Sequence, residues 1–259
     1  MQKNPPIRLK KKYSQNFLKD MRYIDSLLTA VDLTSEMSVF EIGGGAGALT
    51  QAILREKLKK LWVFEIDPEW AAVLRQIEDP RVTVFEENFL DFDFQRFELD
   101  QPWTLLANLP YQVTFPILHA LQKNRALLRE GVIMVQEEVA QKILKTRGRS
   151  YGFASLFFQW FFEWKLLDKV PPEAFYPQPK IFSRLLYFKP KKDLIEIKHE
   201  EAFWVFIKTC FKQPRRTLRN NLMHSHYNLS EIDLKILDLR AQQLSMTDLL
   251  AIWNQVGLQ

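Results

Sequence analysis

The chain has 259 residues, 47% hydrophobic and 13% aromatic, enough for one large domain or a large domain with a small one, and too apolar for a disordered chain. A single cysteine, Cys210, excludes an internal disulfide and a multi-cysteine zinc site and suits a reducing cytoplasm. Formal net charge is +5, and the basic residues gather near the two ends: residues 1–19 hold six Lys or Arg and no acid, and residues 203–226 hold Lys208, Lys212, Arg215, Arg216 and Arg219 and again no acid, so a polyanionic partner is expected.

The opening MQKNPPIRLKKKY has no apolar signal region, and no stretch reaches the ~18–20 apolar residues of a membrane span, so a cytoplasmic protein without membrane contact is expected. Short apolar runs at 37–42, 60–66, 81–86, 102–107 and 131–136 read as strands. Helical patterns at 48–57, 68–77 and 114–123 lie between them, and this alternation predicts a mostly parallel sheet with helices on both faces. YGFASLFFQWFF (151–162) is too short to span a membrane and reads as a buried helix. Two later runs, 163–170 and 183–190, have no long helix between them and are expected to pair antiparallel at one edge. KPKKD (189–193) reads as a linker, after which helices are expected at about 200–212, 215–224, 230–238 and 246–256. The expected organisation is a basic segment 1–19, an α/β domain 20–190 and a small helical domain 191–259.

In VFEIGGGAGALT, Gly43, Gly45 and Gly47 follow the first strand and open a helix, where glycine lets the backbone approach a ligand. Glu65 ends the next strand, where a carboxylate accepts ribose hydroxyls. Gly43-x-Gly45-x-x-Ala48 satisfies the dinucleotide pattern, which taken alone is weak. Glu41, however, would repel a pyrophosphate, whereas S-adenosylmethionine has no phosphate and carries an ammonium and a sulfonium. Glu87 and Asn88 follow the third strand and are placed to receive an adenine amine.

The fourth strand ends in ANLPYQV, at the sheet edge where open α/β folds bind ligands. Asn108 offers a side-chain carbonyl and Leu109 a backbone carbonyl, two acceptors for an amine conjugated to an aromatic ring, such as adenine N6. Pro110 stiffens the turn and holds Leu109 extended, and Tyr111 can stack on the base. The competing reading is an ordinary turn with Asn and Pro in backbone roles.

YSQNFLKD, EIGGGAGALT, FEID, ANLPYQV, AFYPQPKIFSRL and TLRNNL occur in the order found in the dimethyladenosine transferases of small-subunit ribosomal RNA, and the chain resembles that family from about residue 8 into the C-terminal helices. The resemblance implies a Rossmann-like class I methyltransferase fold with S-adenosylmethionine as cofactor. The implied substrate is 16S rRNA in an immature small subunit, bound by a monomer without a metal. It further implies that Asn16, Leu18, Gly43, Glu65, Asn88 and Asn108 touch the cofactor and that Phe175 packs against the target base, beside Asn108, Leu109, Pro110 and Tyr111 at the reacting amine. Lys10, Lys11, Lys12, Lys145, Arg147, Arg149, Arg215, Arg216 and Arg219 are the implied RNA contacts.

Three departures from the family stand out. Asn88 replaces the usual Asp, which predicts weaker cofactor binding; Gly44 stands where Pro is frequent, which predicts a looser turn; and Pro214 interrupts a basic run, where it suits the first turn of a new helix. The open alternatives are a large-subunit rRNA methylase of the macrolide-resistance type, a non-catalytic rRNA-binding assembly factor on the same fold, and an NAD-dependent oxidoreductase, for which the chain shows no hydride-transfer constellation.

Overall fold

A computed structural model describes residues 15–100 and 102–256. The chain divides into two compact units, one built from the chain up to Ala140 together with Glu163–Pro190, the other from Gln141–Phe162 together with the chain from Lys191 onward.

In the first unit the elements run β1 (Phe17–Leu18), α1 (Met21–Thr29), β2 (Ser38–Ile42), α2 (Ala48–Ile53), β3 (Lys60–Phe64), α3 (Pro68–Leu74), β4 (Val82–Phe85), β5 (Trp103–Asn108), α4 (Thr114–Lys123) and β6 (Leu128–Gln136). After α5 (Glu137–Leu144) and α6 (Phe153–Phe161), the strands β7 (Phe162–Val170), β8 (Phe175–Tyr176) and β9 (Ser183–Pro190) return to this unit. Local chemistry sets the helix starts: the Asp20 side chain accepts from the Arg22 N–H, and Asp67 caps α3 through the Glu69 N–H with Pro68 in its first turn.

The seven-stranded sheet has the order β4-β3-β2-β5-β6-β9-β7. Strands β4 to β6 pair parallel, and β9 pairs antiparallel with β6. This is the mostly parallel sheet with an antiparallel edge that the sequence pattern implied. The order reverses between β2 and β5, so the carboxyl ends of those two strands flank the switch-point crevice.

Strand alternation sorts the core. Val39, Leu61 and Val63 join a cluster with Ile24, Leu27, Ile53 and Leu74 of α1, α2 and α3. On the opposite face, Phe40, Trp62, Phe64 and Trp103 meet Phe89, Phe92 and Phe97 from the segment after β4, with centroids as close as 4.6 Å (Trp62–Trp103) and 4.8 Å (Phe64–Phe92, Phe97–Trp103). The Trp103 indole N–H donates to the Phe97 carbonyl at 2.7 Å, which ties the aromatic segment to the sheet.

In the second unit, α6 packs with α7 (Glu200–Cys210), and α8 (Leu218–Leu222), α9 (Leu234–Leu237) and α10 (Met246–Val256) complete the helices. Trp204 lies 4.9 Å from Phe157 and 5.7 Å from Phe161, and Tyr151 lies 5.7 Å from Phe211. These contacts place 141–162 with the C-terminal helices, whereas the sequence pattern grouped it with the α/β domain. Cys210 is fully buried, and burial pushes its thiol up, consistent with a core residue.

Pro214 does not open a helix. It lies in a turn closed by the Arg216 N–H to Gln213 carbonyl bond, and α8 starts at Leu218, where the Thr217 hydroxyl accepts from the Asn220 N–H. Among the described residues no helix is long and apolar enough to cross a membrane.

Candidate functional site

A cavity of about 320 Å³ opens at the carboxyl ends of β2, β3, β4 and β5, lined by Asn16 and Phe17 before the sheet, by Ile42, Gly43, Gly45, Glu65 and Asn88, and by Asn108 to Tyr111. Ten of the residues singled out from sequence therefore meet in one place: Asn16, Gly43, Gly45, Glu65, Glu87, Asn88, Asn108, Leu109, Pro110 and Tyr111.

The β2–α2 turn is tight against its neighbours. A Cβ on Gly43 would lie 3.8 Å from the Asn108 carbonyl oxygen, so the turn and the end of β5 are in contact range. At Gly44 a Cβ would come within 2.5 Å of Val63 and 2.8 Å of Leu74, so any larger residue there, proline included, needs those side chains to shift. Gly45 has φ +51°, and a Cβ on it would stand 2.6 Å from the Phe17 ring, which is backed by Trp70 at 5.0 Å. Gly45→Ala is therefore expected to push Phe17 and the strand β1 off the cavity, weakening cofactor binding by roughly 10-fold or more through overpacking and left-handed strain. Calorimetric titration with S-adenosylhomocysteine checks it.

Glu65 and Glu41 fall on the face of their strands that looks toward α2, and they do different things. The Glu65 carboxylate accepts from the Gly45 N–H and the Asp67 N–H, both at 2.8 Å, and burial raises its pKa against those bonds. A carboxylate has about four lone-pair sites, so capacity remains for hydroxyl donors in the cavity.

Glu41 does not line the cavity. It is 1% exposed, and the Thr50 hydroxyl donates to its Oε2 at 2.6 Å. Burial pushes it from an ordinary 4.5 up to about 8, the Thr50 bond opposes the shift, and the Glu65 charge adds to it. Below about pH 8 the group is mostly protonated, so the charge that the sequence reading set against a pyrophosphate is largely absent at neutral pH. Because the folded pKa lies above the unfolded one, its stabilising contribution is complete below about pH 4.5 and is lost as pH rises through about 8. Glu41→Gln keeps an acceptor for Thr50 and removes the titration. The stability difference, variant minus wild type, is expected to grow by on the order of a few kcal/mol between pH 5 and pH 9 in urea unfolding.

Asn88 caps the turn after β4: its Oδ1 accepts from the Leu90 N–H at 3.2 Å and its Nδ2 donates to Asp91 Oδ2 at 3.0 Å. An aspartate here would set a second carboxylate against Asp91, so the amide has a local structural reason and still offers its oxygen at the cavity wall.

Asn108 ends β5 and donates through Nδ2 to the Asn16 backbone carbonyl at 3.1 Å. A carbonyl only accepts, so this bond fixes which end of the amide is nitrogen and leaves Oδ1 as the exposed acceptor. The Leu109 N–H donates to the Met134 carbonyl, and the Pro110 carbonyl is taken by the Val113 N–H and the Thr114 hydroxyl. Among the described residues no donor meets the Leu109 carbonyl, the second acceptor expected from sequence. Pro110 has φ −61° and ψ 124° and starts a 3-10 turn over Tyr111–Val113. The Tyr111 hydroxyl lies 2.6 Å from Ser183 Oγ, and burial raises its pKa.

Two expected site residues are not brought to the cavity. Phe175 is 2% exposed and belongs to the core, because β8 pairs antiparallel with β1, Leu18 opposite Phe175, and alternation turns those two inward and Tyr176 outward at 53% exposure. Phe175 is thus packed in the core in this structure, and Leu18, 7% exposed, is likewise core. Conversely, sequence reasoning missed Gln15, whose Nε2 donates to Asp67 Oδ2 at 3.0 Å, Phe17 and Ser183. None carries a local signal, since each role depends on a partner distant in sequence.

Of the expected RNA contacts, Lys145, Arg147, Arg149, Arg215 and Arg216 are exposed on the second unit, whereas Arg219 is engaged with Asp238 at 3.1 Å in a solvent-accessible pair of little energetic weight. The Gln159 amide holds the basic loop by donating to the Ile143 and Lys145 carbonyls, both at 2.7 Å. Lys10, Lys11 and Lys12 lie outside the described residues.

The sequence profile of the ribosomal RNA adenine dimethylase family matches residues 7–254. Relatives include ribosomal RNA small subunit methyltransferase A of Chlorobium luteolum, 37% identical over 98% of this chain and 92% of that protein. The corresponding protein of Mycoplasma mobile is 38% identical over 92% and 94%. Among solved structures, a dimethyladenosine transferase from Plasmodium falciparum superposes with a TM-score of 0.77 at 22% identity, covering 93% of this chain and 98% of its own. The 23S rRNA methyltransferase ErmE gives 0.66 at 23% identity, covering 80% and 83%; at these identities the two establish the fold.

Proposed function

The chain belongs to the ribosomal RNA adenine dimethylase family, and from that membership we propose that it dimethylates N6 of two adjacent adenines in the 3′-terminal hairpin loop of 16S rRNA, using S-adenosylmethionine, as the small subunit matures in the cytoplasm. The chemistry of the cavity fits that cofactor: a carboxylate for ribose hydroxyls at Glu65, an amide oxygen for an adenine amine at Asn88, close backbone at Gly43 and apolar walls from Phe17, Ile42 and Phe89. When bound, S-adenosylmethionine supplies an electrophilic methyl on a sulfonium, and its C–S bonding pair returns to sulfur as a C–N bond forms.

The protein's own task is to make a poor nucleophile usable. The N6 lone pair is delocalised into the purine ring, and two acceptors that bond its hydrogens favour a pyramidal nitrogen. Asn108 Oδ1 and the Leu109 carbonyl are those acceptors. They stabilise the charge that develops on N6 until one N–H proton passes to solvent. After the first transfer a single hydrogen remains, and one acceptor suffices for the second. Tyr111 stacks on the base, worth ~1–3 kcal/mol, and in-line positioning carries the rest without a strong general base.

Lys145, Arg147, Arg149, Arg215 and Arg216 position the RNA through phosphates, and the protein acts as a monomer on an immature subunit. The observation that carries the reading is the Asn108 Nδ2 bond to the Asn16 carbonyl, which leaves Oδ1 as the acceptor. The test is radiolabel transfer to small subunits lacking these methyl groups. Incorporation rising toward two methyls per adenine is expected, and none in the presence of bound cofactor overturns the reading.

A further inference from the structure

Ser183 is the first residue of β9, opposite Gln136 at the end of β6, and it is completely buried. A hydroxyl is costly to bury unless it is bonded, and among the described residues the polar partner of Ser183 Oγ is the Tyr111 hydroxyl, 2.6 Å away. The strand end that carries Ser183 is itself held firmly. The Glu137 N–H donates to the Phe182 carbonyl at 3.0 Å. Arg184 clamps the Glu137 carboxylate with two bonds of 2.7 and 3.0 Å and donates to the Leu167 carbonyl at 3.0 Å. Tyr111 follows Pro110, so the backbone fixes where its side chain starts, but the first side-chain torsion still decides which way the ring axis points.

We infer that Ser183 is a positioning residue: by holding the Tyr111 hydroxyl it fixes the direction of the ring axis, and so places the ring against which the target adenine is stacked and brings N6 to the Asn108 and Leu109 acceptors. The inference rests on the reading of the Asn108–Tyr111 turn as the adenine site. It gives the antiparallel edge of the sheet a part in the reaction, because β9 supplies a fixed anchor to a turn that the parallel strands carry. RNA affinity comes mainly from phosphate contacts elsewhere, so losing the anchor misaligns the base in the complex and leaves the complex itself formed.

The test compares Ser183→Ala, Tyr111→Phe, the double variant and Ser183→Thr in methyl transfer to undermethylated small subunits. Each single loss of hydroxyl is expected to lower kcat by roughly 5- to 10-fold, the worth of one hydrogen bond, with KM for the particle and calorimetric cofactor affinity unchanged. The double variant is expected to lose no more than either single one, since both remove the same bond, and Ser183→Thr to recover most of the rate. Wild-type kcat in Ser183→Ala or in Tyr111→Phe overturns the inference, as does a double variant whose losses multiply or a Ser183→Ala protein that loses cofactor affinity. Should Ser183→Ala fail to fold, Tyr111→Phe alone decides, because it leaves the strand intact. Absence of transfer by the wild type defeats the functional reading; transfer by the wild type with unchanged variants defeats only the positioning role.

Discussion

Asn108→Ala is expected to lower the rate of methyl transfer by about 10²- to 10³-fold while the protein stays folded, the loss typical of one preorganised donor or acceptor removed from a developing charge. Two things disappear with this side chain: the Oδ1 acceptor, and the Nδ2 bond that ties the end of β5 to the Asn16 carbonyl. Asn108→Asp separates them, because it keeps acceptor oxygens but sets a carboxylate against the Asn16 carbonyl and so loses the tie. Its rate is expected to fall between wild type and Asn108→Ala. Single-turnover rates with saturating cofactor and circular dichroism make the measurement, and full activity in a folded Asn108→Ala protein would remove the acceptor mechanism.

Glu65→Ala is expected to weaken cofactor binding by about 100-fold or more. Two hydrogen bonds from ribose hydroxyls to a charged acceptor are lost, each worth ~1.5–3 kcal/mol, and the Gly45 and Asp67 N–H groups lose the carboxylate they both donate to. Glu65→Gln is expected to do little better, since its NH₂ faces one of those N–H donors. Burial holds the Glu65 carboxyl above the ordinary carboxylate range, so affinity in the wild type falls as pH is lowered through that raised value, sooner than an exposed glutamate would allow. Calorimetry with S-adenosylhomocysteine across pH reads both effects; a dissociation constant unmoved by the substitution would take Glu65 out of the ribose site.

What the sequence made legible follows from how local each feature is. The glycine turn, Glu65, Asn88 and Asn108 to Tyr111 all sit at carboxyl ends of strands, and the topology of a parallel sheet collects strand ends into one crevice, so reading the strands was enough to assemble the cavity. Phe175 was not legible because AFYP offers two adjacent aromatics, and strand pairing with Leu18 decides that Phe175 points in and Tyr176 out. The orienting partner of Asn108 is a backbone carbonyl 92 residues away, a role no side-chain pattern announces. The helix at Phe153–Phe161 is apolar enough to read as buried, yet its composition does not say which unit buries it; Trp204 does. The pairing of Arg219 with Asp238 is likewise not legible, since it depends on how α8 and α9 meet.

The most direct test of the central claim is a mass-spectrometric map of rRNA after incubation of undermethylated small subunits, and separately of large-subunit particles, with the protein and S-adenosylmethionine. Two adjacent N6,N6-dimethyladenines in the 3′-terminal hairpin loop of 16S rRNA are the predicted result. Methylation confined to 23S rRNA, or unmodified 16S rRNA despite measured cofactor binding, would contradict it.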